Sequence, residues 1–231
     1  MFATPVLYVI AGPNGIGKTT SNFDLIPKNI PLINSDEIAK EVKQSGLIKA
    51  NAQEFSNREA IKMMNEYLER RISFAIETNL ADVDTWKFLL EVQKGGYKLE
   101  VIYISTTDIE VLDKRITERF LLGEHYVRPD IVRERYINGL NLLNHYLAIP
   151  DKLQLVDNSV RMILIAEIEA GAIIQVNKPL PSWIETYLGK HFEAKRPEQI
   201  RVANMDTVEE VRKKYLDLLK KKDISKPTNE D

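Results

Sequence analysis

Residues Gly12-Pro13-Asn14-Gly15-Ile16-Gly17-Lys18-Thr19 satisfy the spacing G-x-x-x-x-G-K-[ST] at every position. No other stretch restricts the fold of this chain as strongly. Glycines let the backbone curl so that successive N–H groups point inward at an anion. A helix starting at about Lys18 presents its positive end to the same point. The motif therefore needs a buried strand before it and a helix after it. The strand is present as residues 5–11, a short apolar run with β-branched and aromatic members, the pattern of a strand covered on both faces. In such a cradle Gly12, Pro13, Asn14, Gly15, Ile16 and Gly17 wrap the phosphates of ATP. Lys18 reaches the β- and γ-phosphates, the Thr19 hydroxyl ligates Mg²⁺, and Thr20 follows as the next nucleotide contact.

The rest of the first half alternates in the same way. Residues 31–34 read as a brief second strand and 36–44 as a helix. Ser56-x-x-Glu59 is a capping box ahead of Ile61, Met64, Leu68 and Ile72, which recur at helical spacing. A strand over 73–77 ends in Glu77. A helix over 82–94 stops at Gly95-Gly96, and a strand covers 98–104. Thr107-x-x-Glu110 opens a helix to about Gly123, and Pro129 stands at the first position of another that reaches about Tyr146. Strand-like runs follow at 153–156, 162–166 and 172–176, then a helix from about Ser182.

This alternation predicts an α/β fold: a three-layer P-loop domain with a mainly parallel sheet. It is expected to occupy residues 1–190. Residues 191–231 form an extension in which Asp206-x-x-Glu209 caps a last helix with Val208, Val211, Tyr215, Leu218 and Leu219 on one side, followed by a frayed charged tail.

Composition narrows the function. Thirty-two Lys and Arg against 34 Asp and Glu leave a net charge of -2, which argues against bulk nucleic-acid binding. Cysteine is absent, which excludes disulfides, thiolate metal sites and a cysteine nucleophile. No apolar run is long enough for a bilayer, so the expectation is a cytoplasmic protein without membrane contact. An N-K-x-D guanine-reading motif is also absent, which disfavours a GTPase switch. A kinase acting on a small molecule is the favoured class. A nucleotide-dependent binding or switch protein and a kinase of some other metabolite stand as alternatives.

A kinase needs a base, an acceptor pocket and cations for the moving phosphoryl group. Asp36 follows the short second strand, at the carboxyl end where open α/β sheets bind ligands. It is a candidate base for the acceptor hydroxyl, or Asp36 or Ser35 merely caps the next helix. Glu77 and Thr78 end another strand on the same side, where Glu77 would hold a substrate hydroxyl or a magnesium-bound water. Arg115 and Arg119 lie four apart on one helix, and Arg128, Arg133 and Arg135 follow across the next turn. Arginines gathered at a helix–helix connection suit a lid over triphosphate, or form a solvated basic face.

In this order the pieces resemble the zeta toxin family of P-loop kinases. The resemblance rests on residues 11–19, Asn34-Ser35-Asp36-Glu37-Ile38, Phe74-Ala75-Ile76-Glu77-Thr78 and the helix with Arg115 and Arg119. Gly123-Glu124-His125-Tyr126-Val127 stands where the family has Gly-Gly-His-x-Val, and Arg133-Glu134-Arg135-Tyr136 and Asp157-Asn158-Ser159 follow. The family's second glycine is Glu124 here, and its proline is displaced to Pro129. The resemblance implies ATP and Mg²⁺ as cofactors and the 3′-hydroxyl of UDP-N-acetylglucosamine as acceptor. It implies Asp36 as base, Glu77 and Thr78 as acceptor contacts, and Arg119 and Arg135 as phosphate-binding arginines beside Lys18. It also implies an antitoxin protein as partner.

Overall fold

The computed structural model describes residues 3–19, 26–45, 52–121 and 126–193. In chain order the elements are β1 (Val6–Ala11), β2 (Leu32–Ile33), α1 (Ser35–Ser45), α2 (Ala52–Glu69), β3 (Phe74–Thr78), α3 (Val83–Lys94) and β4 (Lys98–Ser105). They continue with α4 (Glu110–Leu121), α5 (Pro129–Tyr146), β5 (Lys152–Asp157), β6 (Ile163–Glu169), β7 (Ala172–Val176) and α6 (Ser182–Phe192). The seven strands form one sheet in the order β2-β3-β1-β4-β5-β6-β7. The first five are parallel, and β6 and β7 add an antiparallel edge. The architecture is the α/β fold with a mainly parallel sheet.

Successive residues of β1 and β4 explain why helices must lie on both faces of this sheet. Val9, Ile10 and Ala11 are all buried, as are Val101, Ile102, Tyr103 and Ile104. Side chains alternate between faces along a strand, so such runs need cover on each side. Trp86 of α3 fills part of that cover and stacks on Tyr146 of α5 at 4.7 Å between ring centroids.

From β1 the chain crosses to β2 at one edge, returns through β3, and only then moves to β4 on the other flank of β1. The strand order therefore reverses about β1, the kind of switch point at which open α/β sheets bind ligands. The carboxyl ends of β1, β2 and β3 bring residues 12–19, 34–36 and 77–79 to that point. The β6–β7 connection is short for a local reason: Ala170 and Gly171 both adopt positive φ, 47° and 83°, the backbone of a tight two-residue hairpin turn.

Two helix starts differ from the sequence reading. Ser56 does not cap α2, because that helix already runs from Ala52 and Ser56 is fully buried within it. Thr107 does not cap α4 either. The Asp108 carboxylate accepts from the Glu110 N–H at 2.9 Å, while the Thr107 N–H donates to Ser159 Oγ at 2.9 Å. The expected C-terminal helix after Asp206 and the tail lie outside the described residues. No helix among the described residues is long and apolar enough to cross a membrane.

Candidate active site

Lys18 and Thr19 are the first helical residues after the glycine-rich turn. Gly12 leaves β1 with φ at 140°, and a Cβ there would lie 2.1 Å from the Ile104 carbonyl oxygen. Only glycine fits so close to a neighbouring strand. The turn closes with the Ile16 N–H donating to the Pro13 carbonyl. Lys18 folds back over this loop. Its Nζ donates to Gly12 O at 2.8 Å, Pro13 O at 3.1 Å and Asn79 Oδ1 at 3.3 Å.

Burial lowers the Lys18 pKa to about 8. The Glu77 and Asp36 carboxylates work against that shift, and Arg119 and Arg135 add to it. The lysine is thus a cation held in a dry place chiefly by carbonyl dipoles. A phosphate replacing those carbonyls meets a donor already stripped of water.

The two other strand ends meet over Thr19. Glu77 accepts from the Thr19 hydroxyl through Oε2 at 3.1 Å and from Asn34 Nδ2 at 2.9 Å. Asn34 also accepts, through Oδ1, from the N–H groups of Asp36 at 2.9 Å and Glu37 at 3.3 Å. Asn34, and not Ser35 or Asp36, is therefore the side-chain cap of α1. A hydroxyl and a carboxylate this close suit Mg²⁺, which takes one or two protein oxygens and otherwise phosphates and water. No group of three or more His, Asp or Glu side chains placed to hold a metal ion occurs among the described residues.

Asn34, Glu77, Lys18 and Thr19 form part of the wall of one cavity of about 990 Å³. Asp36, Glu37 and Lys40 of α1 line it from one side, Thr78 and Asn79 from the end of β3, and Arg119 of α4 with Arg135 of α5 from another. Arg135 Nη1 donates to Asn14 Oδ1 of the phosphate loop at 2.9 Å. Burial and the neighbouring Glu77 and Glu41 raise the pKa of Glu37, so this wall carries a crowded negative charge. The cavity has a cationic floor and a carboxylate flank, which is what transfer of an anionic group to a hydroxyl requires.

Of the cluster of arginines, the structure divides the members. Arg119 and Arg135 line the cavity. Arg115 instead donates to the Asn158 carbonyl, and Arg133 pairs with Glu110 and Asp113. Arg128 lies at the cavity and pairs with Asp130. Thr20 and the turn over 122–125 lie outside the described residues.

Three asparagines received no role from the sequence, although Asn34 and Asn158 lie in stretches that carry the family resemblance: Asn34 donates to Glu77, Asn79 accepts from Lys18, and Asn158 Nδ2 donates to the Ile16 carbonyl at 2.8 Å. For Asn34 a signal existed, because Asn34-x-x-Glu37 has capping-box spacing. Asn79 precedes Leu80, a buried residue at φ 54°, a strained left-handed backbone beside the site.

The zeta toxin family profile matches residues 1–174 of this 231-residue chain. The chain belongs to the zeta toxin family. An uncharacterized protein of Haemophilus influenzae is 28% identical to this zeta toxin family member over 126 residues, 54% of this chain and 88% of that protein. Among solved structures, the AvrRxo1-ORF1:AvrRxo1-ORF2 complex with ATP contains a chain that superposes with a TM-score of 0.62 at 14% identity. The match covers 76% of this chain and 61% of that one, so this zeta toxin family member spans less than two thirds of that neighbour. The PezAT chromosomal toxin–antitoxin system of Streptococcus pneumoniae matches with a TM-score of 0.51 at 18% identity, over 93% of this chain and 88% of that chain. At such low identity the superpositions establish a shared fold and nothing further.

Proposed function

We propose that this protein is an ATP-dependent kinase that transfers the γ-phosphoryl group to a hydroxyl of a small molecule, the 3′-hydroxyl of UDP-N-acetylglucosamine being the first acceptor to test. Family membership and an ATP-bound neighbour support kinase-like chemistry. The observation that carries the reading is the placement of Lys18, Arg119 and Arg135 in the same cavity as the Asp36 and Glu77 carboxylates.

In the reaction the acceptor oxygen attacks Pγ, the bond from Pγ to the β–γ bridging oxygen breaks, and ADP leaves. Asp36 takes the hydroxyl proton as the new P–O bond forms. Lys18 leaves the Gly12 and Pro13 carbonyls for the phosphates, and Arg119 and Arg135 meet the charge that spreads over the transferring group. Thr19 and Glu77 would hold Mg²⁺, which neutralises the phosphate oxygens when bound. Glu77 and Thr78 border the space left for the acceptor. ATP as co-substrate makes the cytoplasm the site of action. An antitoxin that covers the cavity mouth belongs to the same reading, supported by a neighbour that is part of a toxin–antitoxin system.

The test is a panel of nucleotide sugars incubated with labelled ATP·Mg²⁺, with mass spectrometry of the products. The expected product is the acceptor carrying one added phosphoryl group. Slow ATP hydrolysis that no acceptor accelerates would instead show a nucleotide-dependent switch.

A further inference from the structure

Asp157-Asn158-Ser159 has no part in the chemistry above, yet it touches the phosphate loop directly. We propose that this turn is a latch that holds the loop in its phosphate-binding shape, with Asn158 as the positioning residue. Asn158 is fixed from three directions. Its N–H donates to the Ser105 carbonyl at 2.8 Å, at the end of β4. Its own carbonyl accepts from Nη1 and Nη2 of Arg115, each at 3.3 Å. Its side-chain Nδ2 donates to the Ile16 carbonyl at 2.8 Å, across 142 residues of sequence.

The turn is itself anchored. The buried Asp157 carboxylate accepts from the Ser159 N–H at 3.1 Å, the Ser159 hydroxyl at 3.0 Å and Trp183 Nε1 at 2.9 Å. Ser159 Oγ accepts in turn from the Thr107 N–H. The turn therefore ties β5, α6 and the entry to α4 together, and the phosphate loop is the lighter body hung on it.

Peptide geometry gives the latch its effect. The Ile16 C=O and the Gly17 N–H belong to one planar trans peptide and point in opposite directions. Holding the carbonyl toward Asn158 aims the Gly17 N–H the other way. Gly17 has φ at 94°, and a Cβ there would lie 3.1 Å from Asn158 Nδ2, so the loop and the asparagine share one tight contact. Arg115 is accordingly an arm of the latch. Its effect on nucleotide binding rests on the kinase reading, whereas the state of the free loop does not.

The experiment compares the wild type with Asn158→Asp, which keeps the shape and removes the donor, and with Asn158→Ala. Hydrogen exchange of the 12–18 segment is followed by mass spectrometry without nucleotide, and ATP·Mg²⁺ affinity by calorimetry. Loss of one buried hydrogen bond should speed exchange of this segment roughly tenfold in both variants while β1 and β4 keep their wild-type rates. The ATP Kd should rise roughly tenfold with kcat at saturating ATP changed less than about threefold, because a preorganising contact acts on binding. Arg115→Ala should shift both readings in the same direction by less. Unchanged loop exchange in Asn158→Asp overturns the latch, as does uniform loosening of the whole sheet with a lower Tm, which marks a merely structural residue. If the wild type fails to bind ATP, the kinase reading falls and the exchange measurement still decides the latch.

Discussion

Lys18 is the residue on which the proposed chemistry turns, and its burial has a measurable signature. Its pKa is lowered to about 8 in the free site, mainly by desolvation, while phosphate binding demands the charged form. Above pH 8 nucleotide binding must therefore take up a proton, and affinity falls by up to about tenfold per pH unit from there. Calorimetry at pH 8.5 in two buffers of different ionisation enthalpy should show this uptake in the wild type and not in Lys18→Met. The same shift has the opposite sense for the free fold. Between about 8 and the ordinary lysine value of 10.5 the unfolded chain binds more protons at Lys18, so its contribution to stability rises with pH across that window. Asp36 yields a second residue-level test. Because Asn34 supplies the cap, Asp36→Asn should leave Tm and ATP affinity near wild type while slowing transfer by about 10²–10⁴-fold. An Asp36→Asn enzyme with native turnover would remove Asp36 as the base. The placement of Asp36 and Glu77 on one cavity was legible in the sequence because strand ends beside a phosphate loop face one crevice. The roles of Asn34, Asn79 and Asn158 were not, since each acts by supporting another residue, across 43, 61 and 142 positions of chain.

At the scale of elements, the strands and helices follow from hydrophobic period, and the exact starts of helices do not. Residues 172–176 and the Pro129 helix start appear where the sequence pattern puts them, because alternation and proline geometry act locally. Ser56-x-x-Glu59 has the spacing of a cap but sits inside α2, whose longer run outweighs the local signal. Thr107 loses its cap role because the helix starts only at Glu110, where the Asp108 carboxylate accepts from the Glu110 N–H, while the Thr107 N–H is bound by Ser159, fifty-two residues away. Capping also separates structure from chemistry in α1. Asn34→Ala should cost about 0.5–2 kcal/mol of stability through the lost cap. It also removes a donor from Glu77. Urea denaturation of Asn34→Ala beside Asp36→Asn checks the division: the first should shift the midpoint, the second should not. Gly12→Ala should be more severe than either, since its Cβ would collide with the Ile104 carbonyl at 2.1 Å and separate β1 from β4. Loss of soluble, cooperatively folding protein is the expected outcome.

For the whole molecule, the cavity couples ligand to stability. A nucleotide that binds only the folded state adds about 2.7 kcal/mol at a hundred times its Kd. ATP·Mg²⁺ should therefore raise the Tm of the wild type by several degrees, and Lys18→Ala should show little of this rise while melting normally without ligand. The fold class was readable because strand–helix alternation with one phosphate loop admits few arrangements. The antiparallel β6–β7 edge was not read, because two short apolar runs carry no sign of their direction until the Ala170-Gly171 turn is seen to reverse the chain. Distance along the chain has a further consequence. Within this sheet β1 and the phosphate loop precede all their partners along the chain: β1 has no strand partner until β3 and β4 emerge, and the proposed latch on the loop waits for Asn158. A ribosome-bound chain that stops before that residue carries the entire nucleotide-binding motif but lacks one of the contacts that hold its shape. On the kinase reading, full affinity for ATP thus comes only after five of the seven strands have been made.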